Sequence, residues 1–274
     1  MTAAPAESML GAMTAPVDLP PTLRVAMHEA VAVVTLARQA KRNALDDTMV
    51  AGLRRLFGEL PRGTRAVVLH GEGAHFSAGL DLSALTERDA EAGIAHSQAW
   101  ARAFELIEFG AVPVVAALHG AVVGGGLELA SAAHIRVADT SAFYALPEGS
   151  RGIYVGGGAS VRLARLIGVA RMADMMLTGR TYGAEEGRAL GFSQYVVPPG
   201  QALTKALELA KRAAENAPLT NFAILQALPR IAEADRTTGL LMESLMAAIA
   251  QDSAEAKSRL RAFLEGRAEK VAHG

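Results

Sequence analysis

The sequence predicts an α/β domain followed by a helical C-terminal region, on three observations. Short apolar or β-branched runs alternate with stretches of helical spacing over the first two thirds of the chain. One of those runs, 112–118, is apolar throughout, as in a strand of a sheet covered on both faces. From about Gly183 onward Ala and Leu recur at helical spacing.

Residues 23–38 divide into two short strands about a His28-Glu29-Ala30 turn. Asn43 is the expected N-cap of the first helix. Asp46 and Asp47 then fall in its first turn, where the helix dipole favours negative charge. Leu45, Met49, Leu53, Leu56 and Leu60 give that helix one apolar face, and Pro61-Arg62-Gly63 ends it. The next strand, 66–70, runs into a Gly71-Glu72-Gly73 loop and then Phe76-Ser77-Ala78-Gly79-Leu80-Asp81-Leu82. A polar, Ala-rich helix continues to about Gly110. Residues 120–126 break the strand 112–118, and 127–133 resume as helix. Two more short strands are expected at 135–138 and 142–146, and another helix after Gly156-Gly157-Gly158. The expected organisation is a disordered tail at 1–20, a core at 21–199 and a helical region at 200–274.

The bulk numbers exclude several classes. A chain of 274 residues can bury a full core without staples. It has no cysteine, which removes disulfides, thiolate metal sites and a cysteine nucleophile. A formal net charge of -1 argues against a nucleic-acid partner. The uncharged stretch 109–127 is interrupted by Pro113, His119 and five glycines, which suits a strand, a turn and a helix start rather than a membrane span. The first 20 residues hold no Lys or Arg and match neither a secretory nor a transit signal, so a cytoplasmic protein without a membrane partner is expected. Dinucleotide-binding G-x-G-x-x-G fails at Leu129 and again at Val161. There is no phosphate-binding Gly-Lys-Ser/Thr loop, G-x-S-x-G fails around Ser77 and Ser160, and the seven histidines have no metal-ligand spacing.

Three segments carry the chemistry for one site. Phe76 to Leu82 contains a small-Ala-Gly-x-Asp turn that leaves a strand and lets the backbone approach a ligand. Gly124-Gly125-Gly126-Leu127-Glu128 opens a helix after a buried strand, and free N–H groups at a helix start favour an anion or a developing oxyanion. Leu146-Pro147-Glu148 puts a carboxylate after an apolar strand.

In this order and spacing, these segments resemble the enoyl-CoA hydratase/isomerase (crotonase) family. So do Arg42-Asn43-Ala44-Leu45, the strand Pro113-Val114-Val115-Ala116-Ala117-Leu118-His119-Gly120, the link Ala189-Leu190-Gly191-Phe192, and Ala262-Phe263-Leu264-Glu265-Gly266-Arg267. The resemblance spans about residues 22–268. The chain departs from the family pattern at Gln39, Ala133-His134, Val155 and the polar Gly149-Ser150-Arg151 after Glu148.

The resemblance implies a ββα superhelical core and a C-terminal helical region for trimerisation, with self-association as a trimer or hexamer. It implies an acyl-CoA thioester as substrate and no separate cofactor. Glu128 and Glu148 fall on the catalytic carboxylates, and the backbone N–H groups of Leu80 and Gly125 on the oxyanion hole. Having both glutamates implies a 2-enoyl-CoA hydratase. An enoyl-CoA isomerase or another crotonase-type reaction is one alternative, and a non-catalytic acyl-CoA-binding protein is the other. Substrate or CoA contacts are implied at Lys41, Arg42, Ala44, Ala78, Leu80, Asp81, Leu82, Gly124, Pro147 and Gly156, with Arg267 and Lys270 as further basic candidates. Asp81 is also expected to position the following helix. Trp100, Phe104 and Ile107 are expected as packing, and His119 and His134 as structural.

Overall fold

A hairpin opens the domain. Strands β1 (Leu23–His28) and β2 (Val31–Leu36) pair antiparallel on either side of Glu29, whose φ is 57°. Both strands and the turn lie where the sequence places them. Strands β3 (Ala66–Gly71), β4 (Val114–Leu118) and β6 (Ile135–Asp139) follow in parallel, and β9 (Tyr195–Val197) closes the sheet in the order β1-β2-β3-β4-β6-β9. A second sheet of β5 (Ala121–Val123), β7 (Phe143–Ala145) and β8 (Tyr182–Gly183) runs in the order β5-β7-β8. This is a computed structural model that describes residues 18–84 and 87–267. The chain divides into two units, 1–214 and 215–274. Most of the expected N-terminal tail, and Lys270, lie outside the described residues.

Strand alternation sorts the first unit's core into two clusters. Ala32, Val34 and Leu36 join Met49, Leu53 and Leu56 of α1 (Asp47–Gly58) and Phe104 and Ile107 of α2 (Ala90–Glu108). Val31 and Val33, one residue out of phase, join Val68, Val115 and Val137 against Ala206, Leu209 and Ala210 of α7 (Ala202–Glu215). The main sheet is therefore covered on both faces, which is why β4 reads as an unbroken apolar run. Between β5 and α7 lie α3 (Gly125–Ser131), α4 (Ala159–Ile167), α5 (Val169–Thr178) and α6 (Ala184–Leu190).

Three expectations need correction. Asn43 is not a helix cap. It sits at φ 54°, fully buried, and its side chain takes the Arg38 N–H (2.9 Å) and donates to Glu72 O (2.9 Å) and His75 O (2.8 Å). Leu45 pairs as an isolated bridge with Leu80, so the chain stays extended until Asp46 caps α1 by accepting from Met49 N–H (2.8 Å). Second, 120–126 is not simply a break: it holds β5, and α3 starts at Gly125 rather than 127. Third, β9 lies in a stretch expected to be helical and adds an edge to the main sheet.

The second unit consists of α8 (Pro218–Phe222), a π-helical segment (Ala223–Ala227), α9 (Leu228–Glu233), α10 (Arg236–Asp252) and α11 (Ala254–Leu264). Asp235 caps α10 and Ser253 caps α11 through side-chain acceptors. Among the described residues no helix is long and apolar enough to cross a membrane.

Candidate active site

The Leu80 turn is pinned on both sides. Leu45 N–H donates to Gly79 O (2.7 Å) and Asp81 N–H donates to Leu45 O (2.8 Å), so the Leu80 N–H between them points away from this ladder. On the other side Ser77 bridges to β5: its N–H donates to Ala121 O (2.9 Å) and its carbonyl accepts from Val123 N–H (3.1 Å). Ser77 Oγ donates to Asn43 O (2.8 Å) and accepts from Gly79 N–H (3.2 Å). Gly79 has φ 90°, and a Cβ there would lie 2.6 Å from Val123 O, so the turn can approach β5 only as glycine.

The start of α3 lies against this turn. Gly125 is the first helical residue, so its N–H has no partner within the helix. A Cβ on Gly125 would stand 3.4 Å from Leu80 N and 3.1 Å from the Trp100 ring. The Leu80 and Gly125 backbones therefore come together beside the Trp100 ring. Both line a cavity of about 640 Å³ in the first unit.

Glu128 projects from α3 into this cavity and is 4% exposed. Three backbone N–H groups at the start of α4 hold its carboxylate: Gly157 to Oε2 (2.6 Å), Ala159 to Oε2 (3.1 Å) and Gly156 to Oε1 (3.3 Å). Burial raises its pKa above the ordinary value, while these donors and Arg162 pull it back down. Glu148 enters from the turn after β7 and is 6% exposed. Its Oε2 takes no hydrogen bond from any described residue. Burial pushes its pKa up from 4.5 to about 7, with Glu128 adding to the rise and Arg151 opposing it. Gly124 lets Glu148 in: its φ is 51°, and a Cβ there would lie 2.8 Å from Glu148 Oε1.

The two carboxylates thus share one cavity in different electrostatic settings. Glu128 has three donors that favour its charged form. Glu148 has few and is held near a half-protonated state at neutral pH. Such a pair can take a proton at one group and give one at the other.

Of the residues expected to meet substrate, Ala78, Leu80, Gly124, Gly125, Gly156 and both glutamates line the cavity. Lys41, Arg42, Ala44, Asp81, Leu82 and Pro147 are not among its walls. Lys41 Nζ donates to Ser83 Oγ (3.1 Å), and Ala44 N–H is spent on Lys41 O (3.0 Å). Arg42 backs the site through its carbonyl, which accepts from Ala78 N–H (2.9 Å). Asp81 is buried, accepts from Ser83 N–H and Oγ (3.0 and 2.6 Å) and pairs with Arg38 at 2.7 Å. The Ser83 hydrogen bond and Arg38 hold its pKa down at about 2 despite burial, so its part is to fix the turn. Arg267 belongs to the second unit and pairs with Glu265.

Sequence reasoning missed some of the site. Trp100 is a cavity wall as well as packing, and its Nε1 donates to Asp47 (2.9 Å). Gly157 and Ala159 supply N–H groups to Glu128 from about thirty residues away. The Gly156-Gly157-Gly158 run was their only signal, read there as a helix start.

The family model described as enoyl-CoA hydratase/isomerase matches residues 26–272. The chain is 34% identical to enoyl-CoA hydratase EchA19 of Mycobacterium tuberculosis, over 86% of this chain and 91% of that one. It is 63% identical to a solved protein from Rhodopseudomonas palustris assigned as an enoyl-CoA hydratase, with TM-score 0.89 over 92% of this chain and 98% of that one. An enoyl-CoA hydratase structure from Bacillus anthracis matches at 31% identity and TM-score 0.84, over 90% and 97%.

Proposed function

Because this chain belongs to the enoyl-CoA hydratase/isomerase family, we propose that it hydrates 2-enoyl-CoA thioesters at the Glu128–Glu148 cavity. The observation that carries this reading is the pair itself: two buried carboxylates facing one cavity beside two backbone N–H groups that can hold an oxyanion.

The thioester oxygen accepts from Leu80 N–H and Gly125 N–H. Each such donor is worth about 3–4 kcal/mol of barrier as charge develops on that oxygen. A water sits between the carboxylates. Glu128 takes its proton as the oxygen bonds to C3, the C2=C3 electrons move into the thioester as an enolate, and Glu148 delivers a proton to C2 as the enolate collapses. Transfer of one proton between the pair, directly or through solvent, restores the starting state. No cofactor beyond the CoA ester enters these steps.

Lys41 and Arg42 are placed in this proposal at the nucleotide end of CoA, since both are exposed and Arg42 backs the Ala78 turn. Self-association as a trimer or hexamer belongs to the same proposal. It is supported by apolar side chains exposed in the second unit, among them Leu241, Leu245, Phe263 and Leu264, and light scattering of the purified protein checks it. The same reading places the protein in the cytoplasm, which fractionation checks.

The test is to incubate the protein with crotonyl-CoA and, separately, with a 3-enoyl-CoA, and weigh the products. A hydratase gives a product heavier by one water from crotonyl-CoA. A 3-enoyl-CoA converted at unchanged mass, with crotonyl-CoA untouched, would make it an isomerase. Binding without any product would make it an acyl-CoA-binding protein.

A further inference from the structure

Arg162 is a buried cation that the proposed chemistry does not use. It lies within α4 and is 8% exposed. Its Nε donates to Glu108 Oε2 at 2.6 Å, at the end of α2, and its Nη1 donates to Gly157 O at 2.8 Å. Gly157 is therefore held at both ends, with its N–H on Glu128 and its carbonyl on Arg162. The neighbouring Gly158 has φ 101°, and a side chain there would strike the guanidinium. Burying a cation is costly unless it is paired and hydrogen-bonded, and here both partners are supplied.

We propose that Arg162, anchored by Glu108, is a positioning residue for the hydration. It locks the 156–159 backbone so that three N–H groups face Glu128, and its positive charge favours the charged form of that carboxylate against the effect of burial. The inference rests on the hydratase reading for its kinetic consequences but not for its geometry. The charged groups that bear on Glu128 come from three elements. Arg162 comes from α4, Glu108 from α2 behind it, and Glu148, with Arg151 beside it, from the turn after β7. Of these, only Arg162 is both cationic and bonded to the backbone that holds Glu128.

Two substitutions separate charge from geometry. Arg162→Gln removes the charge and is expected to lower kcat by about tenfold or more, with KM within about threefold. Its acid limb of kcat against pH moves to higher pH, because Glu128 then holds its proton more tightly. Arg162→Lys keeps the charge but cannot span both Glu108 and Gly157. It is expected to leave the acid limb in place and still lower kcat by about threefold or more. A carbon NMR titration of the Glu128 carboxyl, assigned with Glu128→Gln, reads the same effect without turnover. In Arg162→Gln that titration should also move up. An unmoved Glu128 titration in folded Arg162→Gln overturns the proposal, as does wild-type kcat in Arg162→Lys, which carries the test if Arg162→Gln does not fold. Failure of the wild-type protein to hydrate any enoyl-CoA would sink the reaction instead, and the titration would still decide the role of Arg162.

Discussion

Glu148→Gln should give a protein that is less active and whose stability gains on the wild type as pH rises. Folding raises the pKa of Glu148 from 4.5 to about 7, so between those values the folded protein holds more protons than the unfolded chain. Its contribution to stability is full below pH 4.5 and is lost as pH rises through about 7. The rise, multiplied by 1.36 kcal/mol per pH unit, gives about 3.4 kcal/mol as a ceiling. Solvent reaching the cavity mouth screens part of this, which brings the expected figure to about 2 kcal/mol. Glutamine cannot ionise, so the variant escapes that loss, whatever constant offset its amide introduces. The assay is urea unfolding of both proteins at intervals from pH 5 to 8.5. The stability of the variant relative to the wild type should grow by about 1.5 kcal/mol across that range. A difference that stays flat with pH would refute the claim that Glu148 is held in a charge-disfavouring site.

Three further outcomes follow from the same geometry. kcat/KM for crotonyl-CoA should fall as pH rises above about 7, when Glu148 loses the proton it delivers, and initial rates across pH read this directly. Asn43→Ala leaves three part-buried backbone groups without their partner and keeps a β-carbon residue at φ 54°, so urea unfolding should show a loss of about 2 kcal/mol. Gly124→Ala puts a methyl 2.8 Å from Glu148 Oε1, too close for an ordinary contact, at a φ of 51°. It should lower kcat by about tenfold or more while costing only about 1–2 kcal/mol of stability, as measured by steady-state kinetics beside thermal melts.

Much of the fold was legible because its signals are local. The β1–β2 hairpin follows from two apolar runs around a three-residue turn, and β4 from an apolar run suited to a doubly covered sheet. The errors came where long-range contacts overrode local preference. Asn43 has a good capping side chain, yet three distant backbone groups claim it, and the Leu45–Leu80 bridge delays the helix. Strands β5 and β9 are three residues each, too short to show alternation, and they exist because neighbouring strands offer them an edge.

The site divides in the same way. Glu128, Glu148, Leu80 and Gly125 could be named because each sits in a compact motif, and all four line one cavity. The N–H cradle around Glu128 comes from another segment altogether. No periodicity within either segment announces that the start of α4 will meet a carboxylate from α3. Lys41 and Arg42, implied by the resemblance alone, lie outside the cavity wall, and their place in the site rests on the proposal.

The central claim is that Glu128 and Glu148 work together on one water. Its most direct test is the rate of crotonyl-CoA hydration, followed by loss of the conjugated thioester absorbance, in the wild-type protein and in Glu128→Gln and Glu148→Gln. The account predicts turnover by the wild type and a fall in kcat of about a hundredfold or more in each variant, with CoA-ester binding retained. Full activity in either variant would contradict it.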